Sequence, residues 1–420
     1  MSMKKSVKKV VALCLMISML LIIVGCGGNS GSTSKKSDTT KQKYKIYLNL
    51  SYSGNAWQSE GANTIKAMAK TAPYDKTVEL TEVISGADVQ KQISDLQSMA
   101  AAGADAIICY PISPTALNST IEQISKQGVL VFMYDSTVTA PSAYNVSYIT
   151  AGEGQNIAQY LVNSLKGKGD VFVSRGVAGT TVDLMQYNGA MSVFKKYPGI
   201  HVVEEYYSNW DDVLTKQNTA KALVAHPNVD GIFAQAGEYG AVQALLAAGH
   251  KLVPVVGENS NGFRLALINK DYLAQGFDGV SAGSPPVSGA YAFKLMMELL
   301  TGQVKSLPHN IEYPLPYVTA ANVKTNTATN WDSGGNCFPS SLVPDSFVTE
   351  VYNPELVPEL DLNSALKGTP VKGKTVQPIP TNLIKEAPKV PGINITGEVP
   401  PIGDPIYAVN ESLVKPIPVP

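Results

Sequence analysis

The residues best spaced for covalent chemistry are Gly279-Val280-Ser281-Ala282-Gly283. G-x-S-x-G is the nucleophile elbow of serine hydrolases, where a sharp strand-to-helix turn exposes the serine Oγ. An elbow needs its helix directly after the serine, and the triad order needs an acid and a histidine further along. Here Pro285-Pro286 delays any helix, and His309 is the only histidine downstream. The pattern reads better as a flexible crossover that uses glycine for hinge freedom, with a surface serine hydrolase as a remote alternative. His201, His226, His250 and His309 are scattered, without the paired spacing of zinc ligands. No metal site and no cofactor is expected. The chain does hold 20 tyrosines and 3 tryptophans, a stock for stacking on a polar ligand. These side chains point to binding rather than to catalysis.

The N-terminus selects the compartment. Lys4, Lys5, Lys8 and Lys9 precede an apolar run over 10–24 that only Ser18 interrupts. A basic start and a short apolar middle describe a secretory signal. The run is too short for an untilted membrane-spanning helix, which needs about 20 residues. Ile23-Val24-Gly25-Cys26 resembles the bacterial lipoprotein lipobox. That resemblance implies diacylglycerol on the Cys26 sulfur and cleavage before it, giving a membrane-anchored, extracytoplasmic protein. Residues 1–25 are then a lipoprotein signal peptide, and 26–43, polar and aperiodic, a flexible tether. An ordinary signal peptide and a short transmembrane anchor are the alternatives. The signal takes four lysines and no acids from a chain of 33 basic and 34 acidic residues, leaving a net charge of −5. Such a balance argues against nucleic acid as a partner and against an electrostatic grip on anionic lipid. Outside the cytoplasm a Cys109–Cys337 disulfide is permitted, but Cys109 reads better as a buried residue on a strand.

Beyond the tether, β-rich runs alternate with helical ones. Strands are predicted over 44–50, 78–84, 106–110 and 129–134, with helices over 57–71, 88–102 and 113–127 between them. Asp88 is the expected N-cap of the second helix, and Gly103 lies just past its end. The pattern then repeats: helices over 152–166, 181–196, 211–225, 238–248, 262–269 and 286–301, and strands over 170–174, 202–207, 231–235, 253–256, 273–277 and 313–319. Single helices between strands give βαβ units and parallel sheets. The expected fold is α/β: two doubly wound lobes, with ligand at the carboxyl ends of the strands where the lobes face each other. From Pro339 to Pro420 the chain carries 15 of its 27 prolines. Proline excludes helices and central strands there. The stretch is expected as a disordered tail or a surface strap, with apolar residues such as Val343, Phe347, Leu356 and Ile379 favouring partial docking.

The ordered pieces GADAIICYPISPTAL, GVLVFMYDS, GVAGTTVDLMQYNGAM, AHPNVDGIFAQAGEYGAVQALLAAG and VPVVGENSNG resemble the periplasmic sugar-binding proteins of ABC importers, of the ribose- and galactose-binding type. The resemblance runs over about 45–323. It implies two Rossmann-like lobes joined by three crossovers, near 146–150, 279–285 and 313–317. Residues 44–147 plus 284–313 would form lobe 1, 148–283 plus 314–323 lobe 2, and 324–420 a Pro-rich extension.

Carried over position by position, the resemblance makes Asp135 the sugar-binding aspartate, suited to accept hydrogen bonds from a vicinal diol. Asn55 and Trp57 follow the first strand, where the family places a polar residue and aromatics. Trp210 matches an aromatic step after the second strand of lobe 2, and Asp211 is expected to cap the next helix. Three departures bear on the ligand. Leu184 and Gln186 stand where arginine is usual; Ala236-Gly237, followed by Glu238, replaces Asn-Asp; Glu258-Asn259 follows VVG. Without a guanidinium fork an anionic ligand is disfavoured. A neutral one, or one with a cationic group facing Glu238 or Glu258, fits better. Asp278 is a further wall candidate. The expected function is that of a lipid-anchored solute-binding protein, not an enzyme, delivering a monosaccharide to an ABC permease. The alternative keeps the fold and signals an autoinducer or nucleoside to a membrane kinase.

Overall fold

A computed structural model describes residues 43–148, 150–313, 315, 317–325, 335–349, 355–387 and 415–419. The signal, the tether with Cys26, and parts of the C-terminal extension lie outside the described residues. In chain order the elements are β1 Tyr44–Leu50, α1 Ala56–Ala69, β2 Val78–Ile84, α2 Val89–Ala101, β3 Ala106–Tyr110, α3 Asn118–Ser125, β4 Leu130–Tyr134, β5 Tyr144–Ser147, α4 Thr150–Ser164, β6 Lys168–Arg175, α5 Thr181–Phe194, β7 Gly199–Tyr207, α6 Asp212–Ala225, β8 Gly231–Ala234, α7 Glu238–Ala247, β9 Val255–Gly257, α8 Asn261–Leu267, α9 Lys270–Ala274, β10 Gly279–Ala282, α10 Val287–Leu300, β11 Asn310–Glu312, β12 Tyr317–Thr319, α11 Leu362–Lys367 and β13 Lys385–Glu386.

They build two sheets. One runs β13-β11-β5-β4-β3-β1-β2, parallel except at β13; the other runs β12-β10-β9-β8-β6-β7, parallel except at β12. The fold is two α/β lobes of the periplasmic binding protein type I kind. β3 shows why these segments are strands: all five residues of AIICY are buried, and a strand covered on both faces needs a continuous apolar run. The chain passes between the sheets at 147–150, 282–287 and 312–317. Asp88 caps α2 by accepting from the Lys91 amide at 2.9 Å, and Gly103 past its end takes φ +81.

Three local expectations are corrected. The strand expected over 273–277 is instead a helix, α9, and the strand of that region is β10, made of the GVSA residues read as a flexible crossover. Small side chains let β10 run fully buried beside β9: a Cβ on Gly279 would stand 2.3 Å from the Val255 carbonyl oxygen. Short strands β5 and β11 escape sequence reading because four and three residues carry no period. The Pro-rich extension does hold one helix, α11, in a proline-free stretch capped by Asp361 and ended by Gly368 at φ +60. Cys109 lies as expected, a buried residue on a strand, β3, and is not joined to Cys337.

The described part of the extension docks. Phe338, Phe347, Leu356, Val357, Val371 and Ile379 join the apolar core of the first lobe. Residues 355–387 lie against α1 and α10, where Val376 N–H donates to Ala72 O and Ile379 N–H to Glu298 Oε1. Lys294 and Glu359 form a buried ion pair at 3.1 Å. Around 338–349 the strap touches both lobes: Asn261 N–H donates to Phe347 O, Thr349 N–H to Asn259 O, and Val348 N–H to Glu60.

Candidate functional site

A cavity of about 390 Å³ lies between the lobes. Its walls are the loops that follow β1, β3, β4 and β5 on one side and β7, β8, β9 and β10 on the other, with Ser346 and Val348 of the strap added. Carboxyl ends of parallel strands converge there because each βαβ unit must leave a loop at that end.

Asn55 sits at the rim and accepts from Gln58 N–H as the N-cap of α1. Trp57 follows on α1. Its Nε1 donates to Ser284 O at 2.7 Å, and its ring stacks within 9° of the Tyr134 ring. Trp57 therefore braces the crossover after β10 as well as lining the cavity. Asp135, directly after β4, holds φ at +63, a region an L-residue with a short polar side chain can enter at some strain. Its backbone is fixed from both sides: Asp135 N–H donates to Val146 O, and Ser147 Oγ donates to Asp135 O. Burial pushes its carboxyl up to about 7, and the Ser284, Tyr110 and Tyr313 hydroxyls hold it from rising further. Oδ1 has no hydrogen-bond partner among the described residues.

Across the cavity, Trp210 stands at φ +57 after Asn209 at φ +52. Its indole packs over Gly176, where a Cβ would come within 2.0 Å of the ring. Asp211 caps α6 through Leu214 N–H at 2.8 Å. Glu238 accepts from Ser260 N–H and Oγ on Oε1, while Oε2 has no partner among the described residues. Glu258 is half-buried because it opens on the cavity. Burial, Glu153, Glu238 and Asp135 push its carboxyl well above the usual range, against a Gln186 hydrogen bond. Asn259 donates to Gly283 O at 3.1 Å and leaves Oδ1 unpartnered among the described residues.

Two expected positions fall elsewhere. Gln186 stands behind the wall, fully buried, its Nε2 donating to Glu153 Oε2 at 2.6 Å and Glu258 Oε1 at 3.2 Å. Asp278 is not at the cavity. It precedes β10, at the amino end of that strand, and accepts from Tyr160 Oη and Ser164 Oγ. The misplaced strand over 273–277 had put it at a carboxyl end. Sequence reasoning passed over Tyr110, Tyr148 and Ser284, which line the cavity. Tyr110 carried a readable signal as the last residue of a buried strand. Glu153 did not, since an acid in a helix's first turn is ordinary on any surface. Burial nonetheless pushes Glu153 up to about 8.

A family model for a periplasmic binding protein domain matches residues 46–303. The chain belongs to the periplasmic binding protein family. It is 28% identical over 240 residues to a xylitol-binding protein of Mycolicibacterium smegmatis, covering 56% of this chain and 65%, just under two thirds, of that protein. It is 23% identical over 316 residues to the ribose import binding protein RbsB of Bacillus subtilis, covering 74% of this chain and 99% of that protein. Among solved structures, an ABC transporter solute-binding protein from Thermobispora bispora superposes with a TM-score of 0.61 at 24% identity, over 81% of this chain and all of that one. As a periplasmic binding protein the chain is not an enzyme, and the G-x-S-x-G residues build no elbow. Ser281 is buried within β10, donating to Glu258 O at 2.8 Å and accepting from Arg264 Nε at 3.0 Å. His309 stacks on Tyr144 in the other lobe.

Proposed function

We propose that this protein captures a small polyhydroxylated solute, a sugar or polyol, between its lobes and presents it to an ABC permease while held to the membrane by lipid on Cys26. The observation that carries the reading is the cavity itself, where Asp135 Oδ1, Asn259 Oδ1 and Glu238 Oε2 are buried acceptors with no partner among the described residues. Hydroxyls are donors, and a buried acceptor left unmade is costly. Trp57 and Trp210 offer apolar faces for the C–H side of a ring. Asn55 borders the entrance, and Glu258, backed by Gln186, closes the floor. Xylitol and ribose, named for two relatives, are ligands of this size and polarity. Three crossovers allow the lobes to close on the solute, and the closed form is the one a permease reads.

Calorimetric titration of the purified full-length protein with pentoses, hexoses, alditols and their amino derivatives tests the binding. Spin labels at Gln97 on α2 and Lys221 on α6, both exposed, test the closure. Binding that shortens the interlabel distance supports the reading. No binding by any member of the panel refutes it.

A further inference from the structure

We propose that the solute carries a protonated amine, seated against Glu238 and Glu258, with its hydroxyls facing Asp135 and Asn259: an amino-sugar or amino-polyol rather than a neutral sugar. This inference rests on the solute-binding reading and names the ligand class within it.

Among the described residues five carboxyls line the cavity, Asp135, Asp211, Asp212, Glu238 and Glu258, and no lysine, arginine or histidine does. The two guanidiniums of the lobe are engaged elsewhere. Arg175 holds Asp183 through Nε and Nη2 and Glu205 through Nη1, at 2.8 to 3.0 Å, and Arg264 donates to Ser281 Oγ and to Asn336 O. Like charges brought together away from water must be neutralised, either by protons or by a bound cation. Burial with Glu153, Glu238 and Asp135 around it raises Glu258, and burial with Glu238, Asp211 and Asp345 around it raises Asp212 to about 7, opposed by the Gly240 amide.

The independent observation is the hydrogen-bond inventory. Asp135, Glu238 and Asn259 line the cavity, are 3%, 1% and 1% exposed, and each leaves an acceptor oxygen without a partner among the described residues; the Trp210 indole N–H and the Tyr148 hydroxyl in the same wall also lack one and are left to the solute's hydroxyl oxygens. An ammonium is donor-only, with three N–H groups, and so complements an acceptor-rich wall better than a hydroxyl does. A quaternary ammonium has no N–H to give and leaves the acceptors unmet. An inorganic cation fits worse, because no group of three or more acidic, histidine or cysteine residues among those described converges to hold a metal ion.

The test is calorimetric titration of the full-length protein at pH 6.0, where the amine enters fully protonated, with matched triples. Each holds a 2-amino-2-deoxyhexose (glucosamine, galactosamine or mannosamine), its neutral parent and its N-acetyl derivative; an inosamine, inositol and N-acetylinosamine set is added. The amine of at least one triple is expected to bind about tenfold or more tighter than both neutral members, the scale of a charge-assisted contact. Its binding should release protons, read as a dependence of the heat on buffer ionisation. Glu238→Gln should bring the ratio down to about two-fold or less, and Glu258→Gln is the second variant should that one misfold. A neutral member binding as tightly as its amine overturns the inference and leaves the solute-binding reading standing. Silence across all triples and the alditols overturns both.

Discussion

Asp135→Asn should stabilise the protein at pH 8 while weakening its ligand. Asparagine suits the backbone, since it tolerates positive φ as well as aspartate does, and the amide is isosteric. The carboxyl is raised by burial from 3.8 to about 7. A group whose folded pKa lies above its unfolded value favours the folded state most at low pH, below 3.8. That contribution is lost as pH rises through about 7. At about 1.4 kcal/mol per pH unit, the span corresponds to about 4 kcal/mol. The asparagine variant carries no such dependence. Its stability relative to wild type should therefore climb by up to about 4 kcal/mol between pH 4 and pH 8. Urea denaturation at a series of pH values reads this difference directly. In the same variant, loss of a hydrogen bond to a charged acceptor should weaken the ligand by about 1.5–3 kcal/mol. A stability difference that stays flat with pH would refute the account of Asp135 as a buried carboxyl held ready for a donor.

Other positions give sharper local tests. Gly176→Ala places a methyl within 2.0 Å of the Trp210 indole, so the ring must leave the cavity wall; calorimetry should show ligand affinity down by about tenfold or more, and unchanged affinity would remove Trp210 from the site. Trp57→Phe deletes the 2.7 Å bond to Ser284 O and should cost about 1–2 kcal/mol in urea stability; full stability would show that the indole does not brace the crossover. Lys294→Met leaves Glu359 buried opposite a thioether and should destabilise by about 3–5 kcal/mol, with faster protease cutting in 355–387. A change under about 1 kcal/mol would mean that the strap's ion pair does not fasten it.

The alternation of strands and helices was legible because local period, caps and glycine stops are written within a few residues. β1, β2 and β3 lie where the apolar runs put them, and Asp88 and Asp211 cap the helices their positions suggested. Asp135 was readable as a loop residue at the end of a buried strand. Gln186 and Glu153 were not readable as neighbours of Glu258, because only the packing of α4 against α5 brings them together. Asp278 shows the same limit from the other side: one misassigned strand moves a side chain from one end of the sheet to the other. The docking of the strap also lay beyond sequence, since proline announces an extended chain without saying what it rests on. What the sequence by itself determined is the two-lobed α/β scaffold and the end of its strands at which the cavity lies. Tertiary structure alone decided the cavity's character, because burial and mutual proximity, not residue type, set which carboxyls are raised and which acceptors are left without a partner among the described residues.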